Sequence, residues 1–448
     1  MQINFEHPEY YSLNCQYFKT AENIEIIKEE KKQQTSFYIK NIPEESDKDY
    51  YAFNNYRAFL LFEINAFGKP ITFNSPQSFV KWYNSQYTLK PEIADSVSVP
   101  EIEPDMTDRK KMEKIFKFVQ KNIRYIAKMK DGHSFFPHKP EAVLANKYGD
   151  CKDMANLIVS LAKKYDLNAY LFLTSTTFEP EFTVPHINLY NHMIAAYKHN
   201  QNYFFMDPTN KFTAFGNLSN NLINKQGLLL NPHDPKFLTV SENNDLPFAR
   251  IEIQAKLDSL TECEAEITML NDYFSNSCYY LEKSTKLELE NFLSNTLNSQ
   301  MRKISFDYFS LISQDNNKIK FKAKCNLNNF MIESARKYYF PKLPFIFGSN
   351  ELLERDDNLP IYFDNLMRTE MEIFIDIDKK IPPQKLKIGN KKNLFICANM
   401  ENSQNQIKLF YNINQKKKIF KNNQDCHNII KKYYSNKNAM FIIPKEKI

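Results

Sequence analysis

Hydrophobic residues recur along this chain with two different periods, and the change of period divides it. Met112, Ile115, Phe116, Val119 and Ile123 recur at three- and four-residue spacing, the apolar face of a helix that Thr107 or Asp108 can cap. Met154, Leu157, Ile158 and Leu161 form the stripe of a second helix, starting just after Asp150. From about residue 250 the period drops to two. Ile251, Ile253, Ala255 and Leu257 alternate with polar residues, as do Cys263, Ala265, Ile267 and Met269 after a turn at Asp258-Ser259. That pattern predicts a hairpin with one buried face. A helix-like stretch over residues 281–297 interrupts it, and alternation returns at 318–324, 371–377 and 407–413.

The N-terminal part reads differently. Residues 35–41 (TSFYIKN) and 57–67 (RAFLLFEINAF) are aromatic and β-branched runs within a strand-forming segment that spans 1–75. Three more strand-like runs, 169–174, 192–197 and 203–206, follow the second helix. No repeat of fixed period occurs. The expected architecture is a multidomain α+β chain with three parts: a β segment and linker over 1–90, a compact α+β core over 91–248, and a β-rich region over 249–448. The length agrees, since 448 residues correspond to roughly three domains of about 150.

Composition excludes several classes. The chain is 42% hydrophobic and 14% aromatic, with 37 Phe and 26 Tyr, enough apolar mass for real cores. The net charge of +6 is spread along the chain, with no basic tract longer than three residues, as at Lys416-Lys417-Lys418, so no nucleic-acid partner is expected. Apolar runs reach only five residues, as in 58–62, too short for a transmembrane helix. The first 18 residues have neither a basic nor an apolar signal-peptide region. Seven Cys stand far apart without a CxxC pair, and the His residues show no HExxH spacing. Neither a disulfide framework nor a metal site is expected, and no cofactor is called for.

The segment Tyr148-Gly149-Asp150-Cys151-Lys152-Asp153 is where chemistry concentrates. Gly149 stands where the chain must turn into a helix. Asp150 is a good N-cap, and Asp153 completes a box-like pair. Cys151 then falls at the first helical position, where free N–H groups and the helix dipole stabilise a thiolate. Two flanking carboxylates oppose this, so a cationic neighbour is still required. The runs 192–198 and 203–206 flank a plausible turn at residues 199–202. If Lys198 pairs with Tyr203, Asp207 becomes the diagonal neighbour of His192 on one sheet face, whereas a slip of one residue would separate them. A Cys-His-Asp system needs this set: Cys151 attacks, His192 shuttles the proton and Asp207 fixes the imidazole tautomer.

At these residues the chain resembles the bacterial transglutaminase-like superfamily, whose core is related to papain-like cysteine proteases. The stretches IFKFVQKNIRYI, EAVLANKYGDCKDMANLIVSLAKKY, LYNHMI and FFMDPTN carry the resemblance. The family's motifs are matched by Gly149, Asp150, Cys151 and Asp153, then by Tyr190, Asn191 and His192, then by Asp207, Pro208 and Thr209; Tyr190 replaces the commoner Phe. The resemblance implies Cys151 as nucleophile, His192 as general base and acid, and Asp207 as its orienter. Residues 1–90 are similar to the later part of a β-sandwich domain of unknown function that often precedes this core. Residues 250–448, with Glu354-Arg355 and Leu359-Pro360-Ile361, are similar to the β-rich region that follows it. Many relatives are exported, which implies a cell-envelope location.

Other candidates read as structure. Trp82 is expected in a core, with the Cys151 backbone N–H as the oxyanion donor. His133, His138 and His186 read as loop residues, Cys263 as core, and Cys426-His427 carries no weight. The expected function is a cysteine-dependent acyl-transfer enzyme acting on a protein or peptide substrate. It forms a thioester on Cys151 that water or an amine resolves, with hydrolysis slightly favoured. The rival is an envelope binding or scaffold protein in which the triad is residual.

Overall fold

A computed structural model describes the chain outside residues 19–24, 42–58, 67–68, 71–72, 87–92, 94–96, 98, 100–101, 128–134, 178–183, 242–246, 258, 316, 347–360, 363–365, 377–380, 391–393, 404–405, 417–418, 421–422 and 446–448. His133, Asp258, Glu354-Arg355 and Leu359-Pro360 therefore lie outside the described residues. The contacts form two units: Met1–Lys211 with Phe215–Asn244, and Phe212–Ala214 with Asp245–Ile448. The protein is a multidomain α+β chain.

The first unit opens on two small sheets. One orders Gln2–Glu6, Gln34–Lys40 and Glu25–Lys31; the other orders Tyr11–Phe18, Phe59–Ala66 and Lys69–Pro70. After the helix Pro76–Gln86, Thr107 caps the helix Asp108–Asn122 by accepting from Lys110 N at 3.4 Å. The helix buries Met112, Ile115, Phe116 and Val119, the face its spacing predicted. The short helix Pro140–Asn146 leads to the helix Cys151–Lys164.

That last helix is buried nearly all round. Besides the expected stripe of Met154, Leu157, Ile158 and Leu161, residues Ala155, Asn156, Val159, Ser160 and Ala162 are buried too. It packs against both preceding helices and against the strands Ala169–Thr174 and His192–His199. Its polar members keep hydrogen bonds, Ser160 Oγ donating to Asn156 O at 2.8 Å and Asn156 Nδ2 to His138 O at 3.3 Å. The five-stranded antiparallel sheet runs Asn202–Met206, His192–His199, Ala169–Thr174, Gln226–Leu229, Lys236–Thr239.

The second unit is built on eight strands in the order Ser305–Gln314, Lys318–Asn326, Ser259–Leu270, Ala249–Lys256, Arg368–Asp376, Gln406–Gln415, Leu394–Ser403, Gln384–Asn390. Ala249–Lys256 and Arg368–Asp376 pair in parallel. The period-two pattern is realised directly: Ala249, Ile251, Ile253 and Ala255 are buried while their neighbours are exposed. Cys263 lies opposite Cys325, and both are buried. The helical stretch expected over 281–297 is instead two helices, Asn271–Lys283 and Lys286–Asn298. Ser284 is extended, and Thr285 starts the second helix with a capping box: Glu288 N donates to its hydroxyl at 3.3 Å while Thr285 N donates to Glu288 Oε2 at 2.7 Å. Cys426 and His427 fall in the helix Asn423–Asn436.

Candidate active site

The start of the Cys151–Lys164 helix is fixed by its own sequence. Asp150 Oδ1 accepts from Asp153 N at 3.3 Å, and Asp153 Oδ2 accepts from Asp150 N at 3.1 Å, the reciprocal box. Gly149 is needed for space rather than for a left-handed turn: a Cβ there would stand 2.7 Å from Asp153 Cβ and 3.3 Å from Val143 Cγ1. The two carboxylates beside Cys151 are both engaged. Buried Lys152 donates its ammonium to Asp150 Oδ2, and His138 donates backbone N to Asp153 Oδ1 at 2.7 Å with its ring Nδ1 at 3.1 Å. Lys152 thus balances the charge of Asp150, one of the two carboxylates flanking Cys151.

The hairpin supplies the other two groups. Lys198 pairs with Tyr203 and Ala195 with Met206, the register that sets His192 and Asp207 on one face. The turn is tighter than expected, because His199 and Asn202 still pair and Asn200 takes a left-handed φ of 55°. His192 Nε2 donates to Asp207 Oδ2 at 2.9 Å. The second carboxylate oxygen, Oδ1, accepts from Thr209 N at 3.0 Å and Thr209 Oγ1 at 2.8 Å. Asn191 anchors the strand entry, its Oδ1 accepting from Thr176 N at 2.8 Å while its own N donates to Thr174 O at 3.2 Å. Cys151 is half-buried, and it acts with Asp207 to raise the pKa of the His192 ring.

The electrostatics follow from this packing. Burial alone would lower the His192 pKa, but the Asp207 charge and hydrogen bond, helped by Cys151, raise it to about 10. Burial likewise opposes charge on Asp207; the His192 cation, its hydrogen bond and the two Thr209 donors outweigh it and hold that carboxyl below its ordinary value. Sequence reasoning did not single out Lys152 or Thr209 for these jobs. Both stood inside the motifs, yet their partners are visible only in three dimensions.

Other expectations resolve simply. Trp82 stacks among aromatic rings, 4.8 Å from Phe73 and 5.5 Å from Phe79 between centroids, and packs against the core. His186 is half-buried, and burial lowers its pKa. Among the described residues, no cluster of three or more His, Cys, Asp or Glu could hold a metal ion. No helix of the described residues is long and apolar enough to cross a membrane.

Comparison with known proteins adds a family. Residues 96–208 match the Transglutaminase-like superfamily. No curated protein matches the chain. Among solved structures, a "putative protease" from Parabacteroides distasonis aligns with 99% of this chain and 72% of its own, at 10% identity and TM-score 0.46. A "putative cysteine protease" from Cytophaga hutchinsonii aligns with 46% of this chain and 74% of its own, at 12% identity and TM-score 0.19. The helix-start motif, and the hairpin motifs as far as Pro208, fall within the matched segment, and residues 96–208 are a transglutaminase-like superfamily domain flanked by β-rich regions.

Proposed function

We propose that the protein is a cysteine-dependent acyl-transfer enzyme whose reaction belongs to a core spanning residues 91–248. Cys151 attacks the carbonyl carbon of a peptide or side-chain amide. With Nε2 of His192 held by Asp207, Nδ1 holds a proton already taken from the thiol and gives it to the leaving amine. Asp207 keeps the imidazole in that tautomer. The amine departs and leaves a thioester on Cys151, which water resolves in hydrolysis or an amine in transfer. The observation that carries this reading is the His192 ring, bonded to the Asp207 carboxylate at 2.9 Å and raised in pKa by Asp207 together with Cys151. Hydrolysis is favoured, because an amine must outcompete water and needs a pocket of its own.

Selective alkylation tests it. With limiting iodoacetamide near neutral pH, Cys151 is expected to label faster than Cys15 or Cys426, and His192→Ala to remove that advantage. Equal labelling of the three would sink the nucleophile. Full rescue of a null phenotype by Cys151→Ala would favour the scaffold reading instead.

A further inference from the structure

An acyl-transfer site needs hydrogen-bond donors for the carbonyl oxygen as it becomes an oxyanion. The Cys151 backbone N–H is one, as a first-turn donor of its helix. Trp82, the chain's one indole donor, is packed among aromatic rings.

Tyr125 meets the requirements for the second donor. The two-residue strand Arg124–Tyr125 pairs in parallel with Tyr148–Gly149, with Tyr125 opposite Gly149, two residues before Cys151. Two backbone bonds pin the pairing on either side: Arg124 N donates to Lys147 O and Ile126 N to Gly149 O, each at 2.9 Å. The side chain is 41% exposed, and its hydroxyl makes no hydrogen bond among the described residues. The charges of Cys151, Asp207 and Asp150 all reach the phenol. Asp150 and Cys151 stand at the helix start, and Asp207 stands behind His192. Its strand partner Gly149 sets Tyr125 beside the helix start that carries Cys151. Burial first, then those charges, push the phenol up to about 12, so it keeps its proton and remains a donor.

We propose that the Tyr125 hydroxyl, together with the Cys151 backbone N–H, forms the oxyanion hole and is a catalytic residue of the acyl-transfer reaction. The assignment rests on Cys151 being the nucleophile. As the Cys151 sulfur bonds to the acyl carbon, the carbonyl electron pair moves onto oxygen. Tyr125 O–H and Cys151 N–H donate to that oxygen. Collapse restores the carbonyl and breaks the bond to the leaving group, which departs with the proton from His192 or as a stable anion.

Two reagents separate this role from nucleophile activation in the full-length protein. Iodoacetamide alkylates Cys151 at a saturated carbon and forms no oxyanion, whereas p-nitrophenyl acetate acylates it through a tetrahedral one. In Tyr125→Phe, alkylation of Cys151 is expected to be unchanged while acylation falls about 10²-fold. Tyr125→Gln, which keeps a donor, is expected to recover part of the lost acylation rate while alkylating normally. Unchanged acylation in Tyr125→Phe would overturn the proposal. So would an equal fall in both rates with an unchanged circular dichroism spectrum. Failure of the parent protein's Cys151 to react with either reagent would overturn the nucleophile itself, and the proposal with it.

Discussion

At the scale of single residues, the site turns on an imidazole whose proton is held on both sides. His192 donates to Asp207, Asp207 is held by Thr209, and Cys151 adds to the rise in the pKa of the same ring. Its pKa is raised from 6.5 to about 10, so His192 keeps its proton through neutral pH and can act as the acid that releases the leaving group. The sign gives a prediction. Turnover of an amide substrate is expected to fall as pH rises through about 10, where the imidazolium is lost. Alkylation of Cys151 by iodoacetamide needs no acid, and is expected not to fall there. The stability contributed by the ion pair moves the same way: fully present below pH 6.5 and lost as pH climbs through about 10. A pH–rate profile measures the first, and an alkaline fall centred near 6.5 would contradict it.

At the scale of elements, the helix start and the hairpin do the positioning. Gly149 leaves room for the side chain of Asp153, which closes the capping box and binds His138. Gly149→Ala is therefore expected to cost about 1–3 kcal/mol through overpacking, read by denaturant unfolding. A neutral substitution would show that the close approach does not matter. The box and the hairpin register were legible in the sequence, because capping chemistry and strand pairing are local rules acting within a few residues. The Lys152–Asp150 pair, the His138–Asp153 contact and the place of Tyr125 were not. Each joins segments whose separation only the fold sets, apart from Lys152, whose side-chain direction depends on its rotamer. The break between the helices at Ser284-Thr285 was missed for another reason. An apolar period runs through a cap when both helices rest on one core, and Thr285 with Glu288 was the overlooked signal.

At the scale of the whole molecule, all the proposed catalytic groups belong to the first unit, while the second is organised around its own eight-stranded sheet. Phe321 sits in that sheet's core, opposite Ile267. Phe321→Ala is expected to lower the unfolding free energy of the second unit by about 3–5 kcal/mol and to leave the alkylation rate of Cys151 unchanged. Denaturant unfolding with parallel labelling checks both, and a loss of Cys151 reactivity at full folding would tie the site to the β-rich region. The most direct measurement of the central claim is the acyl-enzyme itself. After brief exposure to p-nitrophenyl acetate and acid quench, peptide mass spectrometry is expected to find the acetyl group on Cys151, near stoichiometric, strongly reduced in His192→Ala and absent in Cys151→Ala. Acetylation shared among other thiols, or insensitive to His192, would contradict it.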